Sequence, residues 1–352
     1  MIDGADISGR FLLFADILGT RSLYLAKPPK AELLQRKRNS LGHSVRTAVF
    51  PYFANGNRDR FEISIFSDTV LVASCNVSLL AEAASRLYFT FAQYGLHAAS
   101  TDQVYLLRGG MSFGQRLTAP AISYAPGVSI AEIFDTGLAL AYELEGIRKG
   151  GRLFLSEEVA AALKEAGSPY CQTWSSITGI GPPLSPAHEF LWPAIILAES
   201  EHEFCTFVSE LFDLWLRLLK TKADWTIAAY DRAMYQIDET IKVCIRAGAL
   251  ADKHSAKMVW ITLEKYLPSK DASLEFLDIR FTWGTWFQII WVMIQLQQRY
   301  PSLTTRESLS KLIRTNIEVI HKRGYIGTFR AELLSVDWRP FRVALEELSA
   351  FP

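Results

Sequence analysis

Short apolar runs that end in a carboxylate are the first pattern along the chain. Phe11 to Ala15 is apolar at every position and stops at Asp16, which Ile17-Leu18-Gly19 follow. A run this short and uniformly apolar predicts a β-strand that is buried on both faces. A carboxylate at the end of such a strand is costly to bury unless a cation meets it. Gly19 and Thr20 predict a turn into a helix start, where backbone N–H groups favour a phosphate.

A second carboxylate lies at the tip of a predicted β-hairpin. The apolar segments Ile63 to Phe66 and Val70 to Ala73 flank the polar Ser67-Asp68-Thr69. If this hairpin lies beside the first strand, Asp16 and Asp68 can share a pair of divalent cations. Two carboxylates suit magnesium or manganese and leave the other coordination positions to phosphate oxygens and water. Taken singly, the first acid is also explained as a helix cap and the second as a turn residue.

The remaining hydrophobic pattern predicts two kinds of architecture in sequence. Helical spacing predicts helices over 31–53, 78–96, 130–145 and 157–166, strands are predicted over 103–115 and 152–155, and the prolines in 119–129 favour a loop. Only helical patterns follow, over 204–219, 223–247, 251–265, 281–299, 305–323 and 339–349. This order predicts an α+β fold, a mainly antiparallel sheet with packed helices, followed by an all-helical C-terminal domain. We expect the domains to be 1–200 and 201–352.

Composition and charge narrow the classes of function. The chain has 352 residues, of which 49% are hydrophobic and 21% charged, so it has material for two domains and no sign of disorder. Lys and Arg total 37, as do Asp and Glu, so no overall positive field attracts nucleic acid. Any anion-binding site must therefore be local, and we expect no nucleic-acid partner.

Cysteine spacing and hydropathy favour a cytoplasmic protein. Cys75, Cys171, Cys205 and Cys244 show no CxxC spacing, which disfavours a zinc site or a disulfide framework. The N-terminal residues lack a signal-peptide pattern. Residues 281–296 are apolar but shorter than the roughly 20 residues that a membrane-spanning helix needs. We therefore expect a buried core helix there, a cytoplasmic location and no membrane partner.

Four motifs occur in a characteristic order. They are Phe14-Ala-Asp-Ile-Leu-Gly19, Phe66-Ser-Asp68, Leu107-Arg-Gly-Gly-Met-Ser-Phe-Gly114 and Gly137-Leu-Ala-Leu-Ala-Tyr-Glu-Leu-Glu145. Together they resemble the class III nucleotidyl cyclase catalytic domain over about residues 8–165. The variant resembles the bacterial pyrimidine cyclases of anti-phage cyclic-nucleotide defence systems, in which Ala-Tyr-Glu-Leu-Glu replaces the usual Ala-Ala-Arg-Leu-Glu. The resemblance implies a lyase that attacks the α-phosphate of a nucleoside triphosphate with the ribose 3′-hydroxyl.

The resemblance also implies roles for individual residues. Asp16, Asp68 and the carbonyl group of Ile17 would bind two Mg²⁺ or Mn²⁺ ions per site, with the two acids as the catalytic residues. Leu18, Gly19 and Thr20 would bind phosphate in the turn. The candidates for the missing phosphate-binding arginine are Arg21, Arg46, Arg108 and Arg148. We favour Arg108, because it follows a predicted strand and precedes two glycines. A head-to-tail homodimer follows from the resemblance, as does a separate effector that responds to the cyclic product.

The chain departs from the purine cyclases at the positions that read the base and the ribose. Ala139 and Glu143 stand where those enzymes place an Asn and, four residues later, an Arg. Ser64 stands where they usually carry a base-reading Lys, and Glu132 occupies the other base-reading position. We take Ser64, Glu132 and Tyr142 as base-binding candidates in a pocket rebuilt for a smaller base. Tyr142 also has an ordinary explanation as a packed aromatic residue.

Three functions are therefore open. The first is a uridylate cyclase that converts UTP to 3′,5′-cyclic UMP and pyrophosphate, producing a second messenger in anti-phage defence. The second is a cytidylate or purine cyclase with an atypical pocket, and the third is a catalytically silent module that binds nucleotide.

The basic residues of the helix over 31–53 (Arg36, Lys37, Arg38 and Arg46) are explained either as the lining of a triphosphate channel or as a solvated face.

Overall fold

Two compact units make up the chain in a computed structural model. The sheet unit comprises residues 1–94, 105–172 and 187–190, and the helical unit comprises 95–104, 173–186 and 191–352. The structure describes residues 9–24, 28, 30–54, 61–97, 105–118, 122–125, 128–130, 133–147, 150–173, 188–220, 227–267 and 282–322. Glu132 and the helix predicted over 339–349 lie outside the described residues. The domain boundary expected between residues 200 and 201 stays a prediction.

The sheet unit contains ten strands and five helices among its described residues. The strands are β1 (Gly9–Ile17), β2 (Glu62–Phe66), β3 (Thr69–Ser74), β4 (Leu107–Thr118), β5 (Ile122–Ala125), β6 (Val128–Ile130), β7 (Ile133–Asp135), β8 (Leu153–Leu155), β9 (Cys171–Thr173) and β10 (His188–Phe190). The helices are α1 (Thr20–Tyr24), α2 (Ala31–Ala54), α3 (Val77–Leu96), α4 (Thr136–Gly146) and α5 (Glu157–Glu165). One end of α3 and of β9 belongs to the helical unit.

A mixed sheet forms the centre of this unit. Its strand order is β2-β3-β1-β4-β8-β10-β9, β7 pairs with β4, and β5 and β6 form a separate two-stranded sheet. The described strand pairs are antiparallel except for β4 with β8, which is parallel. The predicted α+β fold with a mainly antiparallel sheet is therefore confirmed. β1 lies between β3 and β4. It was predicted to be buried on both faces: Leu13, Ala15 and Ile17 are fully buried, whereas Phe14 on the other face is only half-buried.

Two adjacent glycines in β4 let helices approach both faces of the sheet. A Cβ atom on Gly109 would lie 2.6 Å from the hydroxyl of Tyr88 on α3. A Cβ atom on Gly110 would collide with the carbonyl oxygen of Ala141 on α4 and lie 2.7 Å from Leu144 Cβ. Because successive strand residues point to opposite faces, α3 and α4 pack on opposite sides of the sheet.

The segment before α4 differs from the sequence prediction. Residues 119–129 were predicted as a loop and a helix was predicted from Ile130, but β5, β6 and β7 lie there and α4 begins at Thr136. Strands of three or four residues are too short to display an alternating pattern. The spacing of Ile130 and Ile133 also mimics one turn of a helix. The predicted helix boundary was therefore wrong by six residues.

The helical unit is built from six described helices. They are α6 (Pro193–Glu199), α7 (Glu201–Lys220), α8 (Ile227–Gly248), α9 (Ala256–Glu264), α10 (Thr282–Arg299) and α11 (Arg306–Lys322). α8 packs against α6, α7, α9 and α10, and α7 also packs against α9. The rings of Phe212 on α7 and Tyr266 after α9 stack with centroids 3.9 Å apart.

The apolar segment over 281–296 forms a core helix, as predicted. Ile289, Ile290 and Met293 of α10 are fully buried within the helical unit. The Trp286 indole N–H donates a hydrogen bond of 3.1 Å to Asn316 Oδ1 on α11. None of the helices that the structure describes is long and apolar enough to cross a membrane. All four cysteines carry free thiols.

Candidate active site

The end of β1 places Asp16 between two neighbouring strands. Asp16 pairs with Thr69 of β3 on one side and with Arg108 of β4 on the other. The Thr69 hydroxyl donates a hydrogen bond of 3.1 Å to Asp16 Oδ1, and Arg108 Nη2 lies 3.7 Å from Asp16 Oδ2. The Asp16 side chain is 21% exposed. Groups from two other strands therefore hold this carboxylate at the edge of the solvent.

Asp68 occupies the turn of the β2–β3 hairpin. Phe66 pairs with Thr69, so Ser67 and Asp68 form a two-residue turn. Ser67 has φ 50°, a left-handed conformation that tight hairpin turns favour. The Asp68 carbonyl oxygen accepts a hydrogen bond of 3.0 Å from the Ile17 N–H, which fastens the hairpin tip to the end of β1. The hairpin thus lies beside the first strand, and the two candidate carboxylates are neighbours.

The turn after β1 directs further oxygen atoms towards Asp68. Gly19 has φ 82°, a conformation that residues with a side chain rarely adopt, and α1 begins at the next residue. The Thr20 hydroxyl contacts the Asp68 carboxylate and also lies 3.3 Å from the carbonyl oxygen of Ile17. The Thr20 hydroxyl is therefore close to both the Asp68 carboxylate and the Ile17 carbonyl, so three oxygen atoms converge at this point.

Leu18 has a different place from the one the sequence suggested. Its N–H donates a hydrogen bond of 2.9 Å to the carbonyl oxygen of Leu106, so this amide is not directed at a phosphate. Its own carbonyl oxygen accepts a hydrogen bond of 3.3 Å from Lys37 Nζ on α2. The backbone hydrogen bonds of Leu18 therefore fix the turn. That Gly19 and Thr20 bind phosphate stays a prediction.

Lys37 is a residue whose role the sequence left open. It is 4% exposed, and its ammonium group lies 5.4 Å from the centre of the Tyr105 ring. Burial lowers the pKa of Lys37 to about 8. Its neighbours Arg36 and Arg38 are exposed, so the prediction of a solvated helix face is confirmed for these two residues and was wrong for Lys37. The signal was its helical spacing from the buried Leu34 and Leu41, which puts all three on one stripe.

Burial and a neighbouring acid act together on Asp16. Loss of solvent raises the pKa of Asp16 from 3.8 to about 6, and the negative charge of Asp68 adds to this rise. Hydrogen bonding from Thr69 and the positive charge of Arg108 oppose it without cancelling it. A carboxylate whose ionisation is disfavoured by burial and by a neighbouring acid is a place where a divalent cation gains more than at an isolated acid.

Arg108 connects Asp16 to a third acid that sequence reasoning did not assign to the site. Arg108 Nε is in ion-pair contact with Oε1 of Glu145 on α4, whose side chain is only 5% exposed. Burial raises the pKa of Glu145, and the Arg108 guanidinium offsets part of that rise. The signal was available, because Glu145 lies four residues after the buried Ala141 on a helix face that meets the sheet.

The three base-binding candidates are not brought together in one described cluster. Ser64 is exposed on β2, and the pairing of Ser64 with Leu71 and of Leu71 with Phe14 places it on the same face of the sheet as Asp16. Tyr142 projects from α4, is largely exposed, and meets the edge of the Phe14 ring with centroids 5.5 Å apart. Glu132 lies outside the described residues.

The donor set fits a hard divalent cation. The carboxylates of Asp16 and Asp68 and the Ile17 carbonyl are oxygen ligands, the type that Mg²⁺ and Mn²⁺ prefer. Within the described ranges, His, Cys, Asp and Glu side chains nowhere gather in a group of three that would hold a metal ion. A metal here would therefore keep several positions for water or phosphate, as Mg²⁺ commonly does.

Comparison with known proteins gives structural similarity alone. No protein-family model and no curated protein matches the chain. Among solved structures, the guanylyl cyclase Cya2 matches with 14% identity and a TM-score of 0.39, over 53% of this chain and 93% of that one. The adenylyl cyclase CyaB from P. aeruginosa matches with 16% identity and a TM-score of 0.37, over 53% and 95%. The catalytic core of a rhodopsin-guanylyl cyclase with converted specificity, in complex with ATPαS, matches with 11% identity and a TM-score of 0.39, over 54% and 98%.

Proposed function

We propose that this chain is a nucleotidyl cyclase whose sheet unit holds the catalytic residues. One observation carries the proposal: the Asp16 and Asp68 carboxylates are neighbours at the end of β1, and the Ile17 carbonyl converges with Asp68 on the Thr20 hydroxyl. The ordered sequence motifs support the same conclusion. In the proposed reaction the ribose 3′-hydroxyl loses its proton to solvent water and its oxygen bonds to the α-phosphorus. The bond from that phosphorus to the bridging oxygen breaks, and pyrophosphate leaves.

The residues of the chain would act by alignment and charge. Asp16, Asp68 and the Ile17 carbonyl would hold two Mg²⁺ or Mn²⁺ ions. Bound metal would lower the pKa of the 3′-hydroxyl and neutralise the charge that grows on the leaving phosphate. Thr69 fixes the orientation of the Asp16 carboxylate, and Thr20 fixes that of Asp68. Gly19, Thr20 and Arg108 would contact the triphosphate.

The substrate that we propose is UTP, with 3′,5′-cyclic UMP and pyrophosphate as products. The sequence supports it, because Ala-Tyr-Glu-Leu-Glu resembles the pyrimidine enzymes and Ser64 replaces a purine-reading Lys. Ser64 is exposed on the face of the sheet that carries Asp16, and we propose that Ser64, Glu132 and Tyr142 surround the base. A role as a second messenger in anti-phage defence, read by a separate effector, rests on the same resemblance.

The homodimer is a further part of the proposal. In the cyclases that the motifs resemble, residues of two subunits complete each active site. We propose that the surface formed by α4 and β2 near Asp16 and Asp68 would meet the partner subunit. Tyr142 and Phe66 are exposed apolar residues on this unit, which favours a covering partner. Light scattering on the purified protein would measure a dimer mass if the proposal holds, and a monomer that turns over substrate would contradict it.

The test of the activity is incubation with each of the four nucleoside triphosphates and Mn²⁺, followed by mass spectrometry of the products. We expect cyclic UMP from UTP and release of pyrophosphate in equal amount. Exclusive conversion of ATP or GTP would refute the pyrimidine assignment and retain the cyclase. Conversion of CTP alone would correct the base. Nucleotide binding without turnover under all conditions would instead support a silent regulatory module.

A further inference from the structure

The Arg108 guanidinium lies between two carboxylates from different elements. Its Nε contacts Glu145 Oε1 on α4, and its Nη2 is 3.7 Å from Asp16 Oδ2 on β1. Glu145 is the more deeply buried of the two acids. Arg108 therefore bridges a buried carboxylate and one that faces solvent.

Gly110 explains how Glu145 comes within reach of the sheet. A side chain at Gly110 would collide with the Ala141 carbonyl, so only glycine lets α4 lie this close to β4. Glu145 lies four residues after Ala141 and therefore on the same face of the helix. Gly110 is two residues beyond Arg108 on β4, so both point to the face that α4 covers. The position of Glu145 against Arg108 is built into the packing.

The charges at this end of the sheet show what that position achieves. With the three acids ionised, Asp16, Asp68 and Glu145 carry three negative charges and Arg108 carries one positive charge. When Arg108 pairs with Glu145, the two negative charges of Asp16 and Asp68 remain for divalent cations to neutralise. Without Glu145, the guanidinium, which is 27% exposed, would be drawn to Asp16, because a partly buried arginine that has lost one acidic partner gains from meeting the other. Arginine and metal would then compete for the same carboxylate oxygens.

We propose that Glu145 is a positioning residue that holds Arg108 away from Asp16 and thereby keeps the Asp16–Asp68 pair open to a divalent cation. This inference rests on the proposed function, since it concerns the same metal site. Glu145 touches neither nucleotide nor metal in this arrangement and acts only through Arg108. It sets the metal affinity of a site whose ligands lie elsewhere.

The experiment is a titration of the purified protein with Mn²⁺ alone, in which electron paramagnetic resonance measures the free ion. Glu145→Gln keeps the size of the side chain and removes its charge. We expect this variant to bind Mn²⁺ about tenfold or more weakly than the wild type, because the released guanidinium occupies Asp16. Glu143→Gln is the matched control, since it removes an exposed charge from the same helix. Its affinity should stay within about twofold of the wild type.

A double variant separates positioning from a merely structural role. Arg108→Gln combined with Glu145→Gln removes the competing cation together with its partner, so no buried charge is left alone. We expect Mn²⁺ affinity to return to within about threefold of the wild type. If Glu145 only stabilised the fold, the double variant would bind no better than Glu145→Gln, and that result would overturn the inference.

The outcomes distinguish this inference from the proposed function. Wild-type Mn²⁺ affinity in a folded Glu145→Gln variant overturns the inference and leaves the metal site intact. A wild-type protein that neither binds Mn²⁺ nor cyclises any nucleotide overturns the proposed function itself. If Glu145→Gln does not fold, the double variant carries the test: affinity near that of the wild type supports the inference, and a loss of more than about tenfold overturns it.

Discussion

The helical unit and the sheet unit both bury acidic side chains, but they compensate the charge in different ways. In the helical unit, Asp238 and Glu239 of α8 are each 1% exposed. Lys242, one turn further along the same helix, lies 2.7 Å from Asp238 Oδ2 and 2.9 Å from Glu239 Oε1. The Thr285 hydroxyl on α10 also donates to Asp238. These acids hold the pKa of Lys242 above its ordinary value even though burial alone would lower it.

The acids of the sheet unit come from elements that are distant in sequence. Asp16 ends β1, Asp68 forms a hairpin turn and Glu145 lies on α4, and Arg108 meets the first and the third of them. The helical cluster is closed to solvent, whereas Asp16 keeps a solvent-facing edge. The comparison teaches that buried charge alone does not mark a functional site. What distinguishes the acids at the end of β1 is that Asp16 is partly open to solvent, whereas Asp238 and Glu239 are not.

The largest expected difference between the two clusters is in catalysis. Asp16→Asn or Asp68→Asn should lower cyclisation by about a thousandfold or more, because each removes a charged oxygen ligand from the metal site. Glu62→Gln is the control, since Glu62 is an exposed acid on the sheet that pairs with Arg10. Turnover with UTP and Mn²⁺ is the measurement. Retained turnover in either Asn variant would refute the assignment of the metal ligands.

In the helical cluster of Asp238, Glu239 and Lys242, we expect a substitution to lower stability and not catalysis. Asp238→Ala removes one of the two carboxylates that meet Lys242 and leaves the buried Thr285 hydroxyl without its acceptor, so it should lower the free energy of unfolding by about 1–3 kcal/mol. The same variant should keep its turnover per folded molecule. Denaturant unfolding of the wild type, Asp238→Ala and the control Asp213→Ala, which changes an exposed acid, measures the effect. If Asp238→Ala is as stable as the control, the contacts of Asp238 do not contribute to the free energy of unfolding.

The sequence predicts the elements of the candidate site better than it predicts their contacts. Asp16 and Asp68 stand out because each interrupts an apolar run, but the prediction that they form one site came from the ordered motifs that resemble the cyclases. The contact between Arg108 and Glu145 depends on how closely α4 approaches β4, which no local pattern encodes. Gly110 hints at close approach, but it does not identify the partner. The roles of the remaining site residues stay predictions.

Short strands and buried polar residues account for the other differences. β5, β6 and β7 are too short for their alternation to be visible, so residues 122–125, 128–130 and 133–135 were assigned wrongly. Lys37 shares a stripe with Leu34 and Leu41, yet a basic residue among other basic residues favours a solvated face. A charge on an apolar stripe is ambiguous until the atoms that meet it are known. The Leu18 carbonyl, which accepts from Lys37, lies in a different element.

A smaller effect is expected on the stability of the sheet unit in metal-free buffer. The folded pKa of Asp16, about 6, lies above its ordinary value of 3.8, so the folded state binds more protons between these pH values. The free energy of unfolding should therefore fall as the pH rises through this window, and the cost is complete above about pH 6. Asp16→Asn removes that cost and should stabilise the protein at pH 8 by up to about 3 kcal/mol.

Thermal unfolding at two pH values measures this prediction. At pH 4 most of the advantage of Asp16→Asn should vanish, because the folded wild type is then protonated at Asp16 and no longer carries a buried charge there. Added Mn²⁺ should stabilise the wild type and leave the variant unchanged. An Asn variant that is less stable than the wild type at pH 8 without metal would show that Asp16 is not held at an electrostatic cost.

The smallest expected effect is a change in the free energy of unfolding at Lys37, whose surroundings differ from those of Lys242. Lys242 meets two carboxylates, whereas Lys37 donates to the Leu18 carbonyl and lies over the Tyr105 ring. Burial holds the pKa of Lys37 at about 8 when folded, against 10.5 ordinarily, so burying its charge costs up to about 3 kcal/mol below pH 8. Lys37→Met removes that cost and loses a hydrogen bond and a cation–π contact. The net gain at pH 7 should be about 1 kcal/mol.

The pH dependence gives this last prediction its direction. As the pH rises from 8 to 10.5, the folded wild type loses its proton before the unfolded state does, so the wild type gains stability and the advantage of Lys37→Met disappears. Arg38→Met, which changes an exposed neighbour, should show no such trend. Because Lys37 fixes the turn that carries Gly19 and Thr20, the more stable variant should also turn over UTP more slowly. A variant that is less stable at pH 7 would mean that the contacts of Lys37 outweigh the burial of its charge.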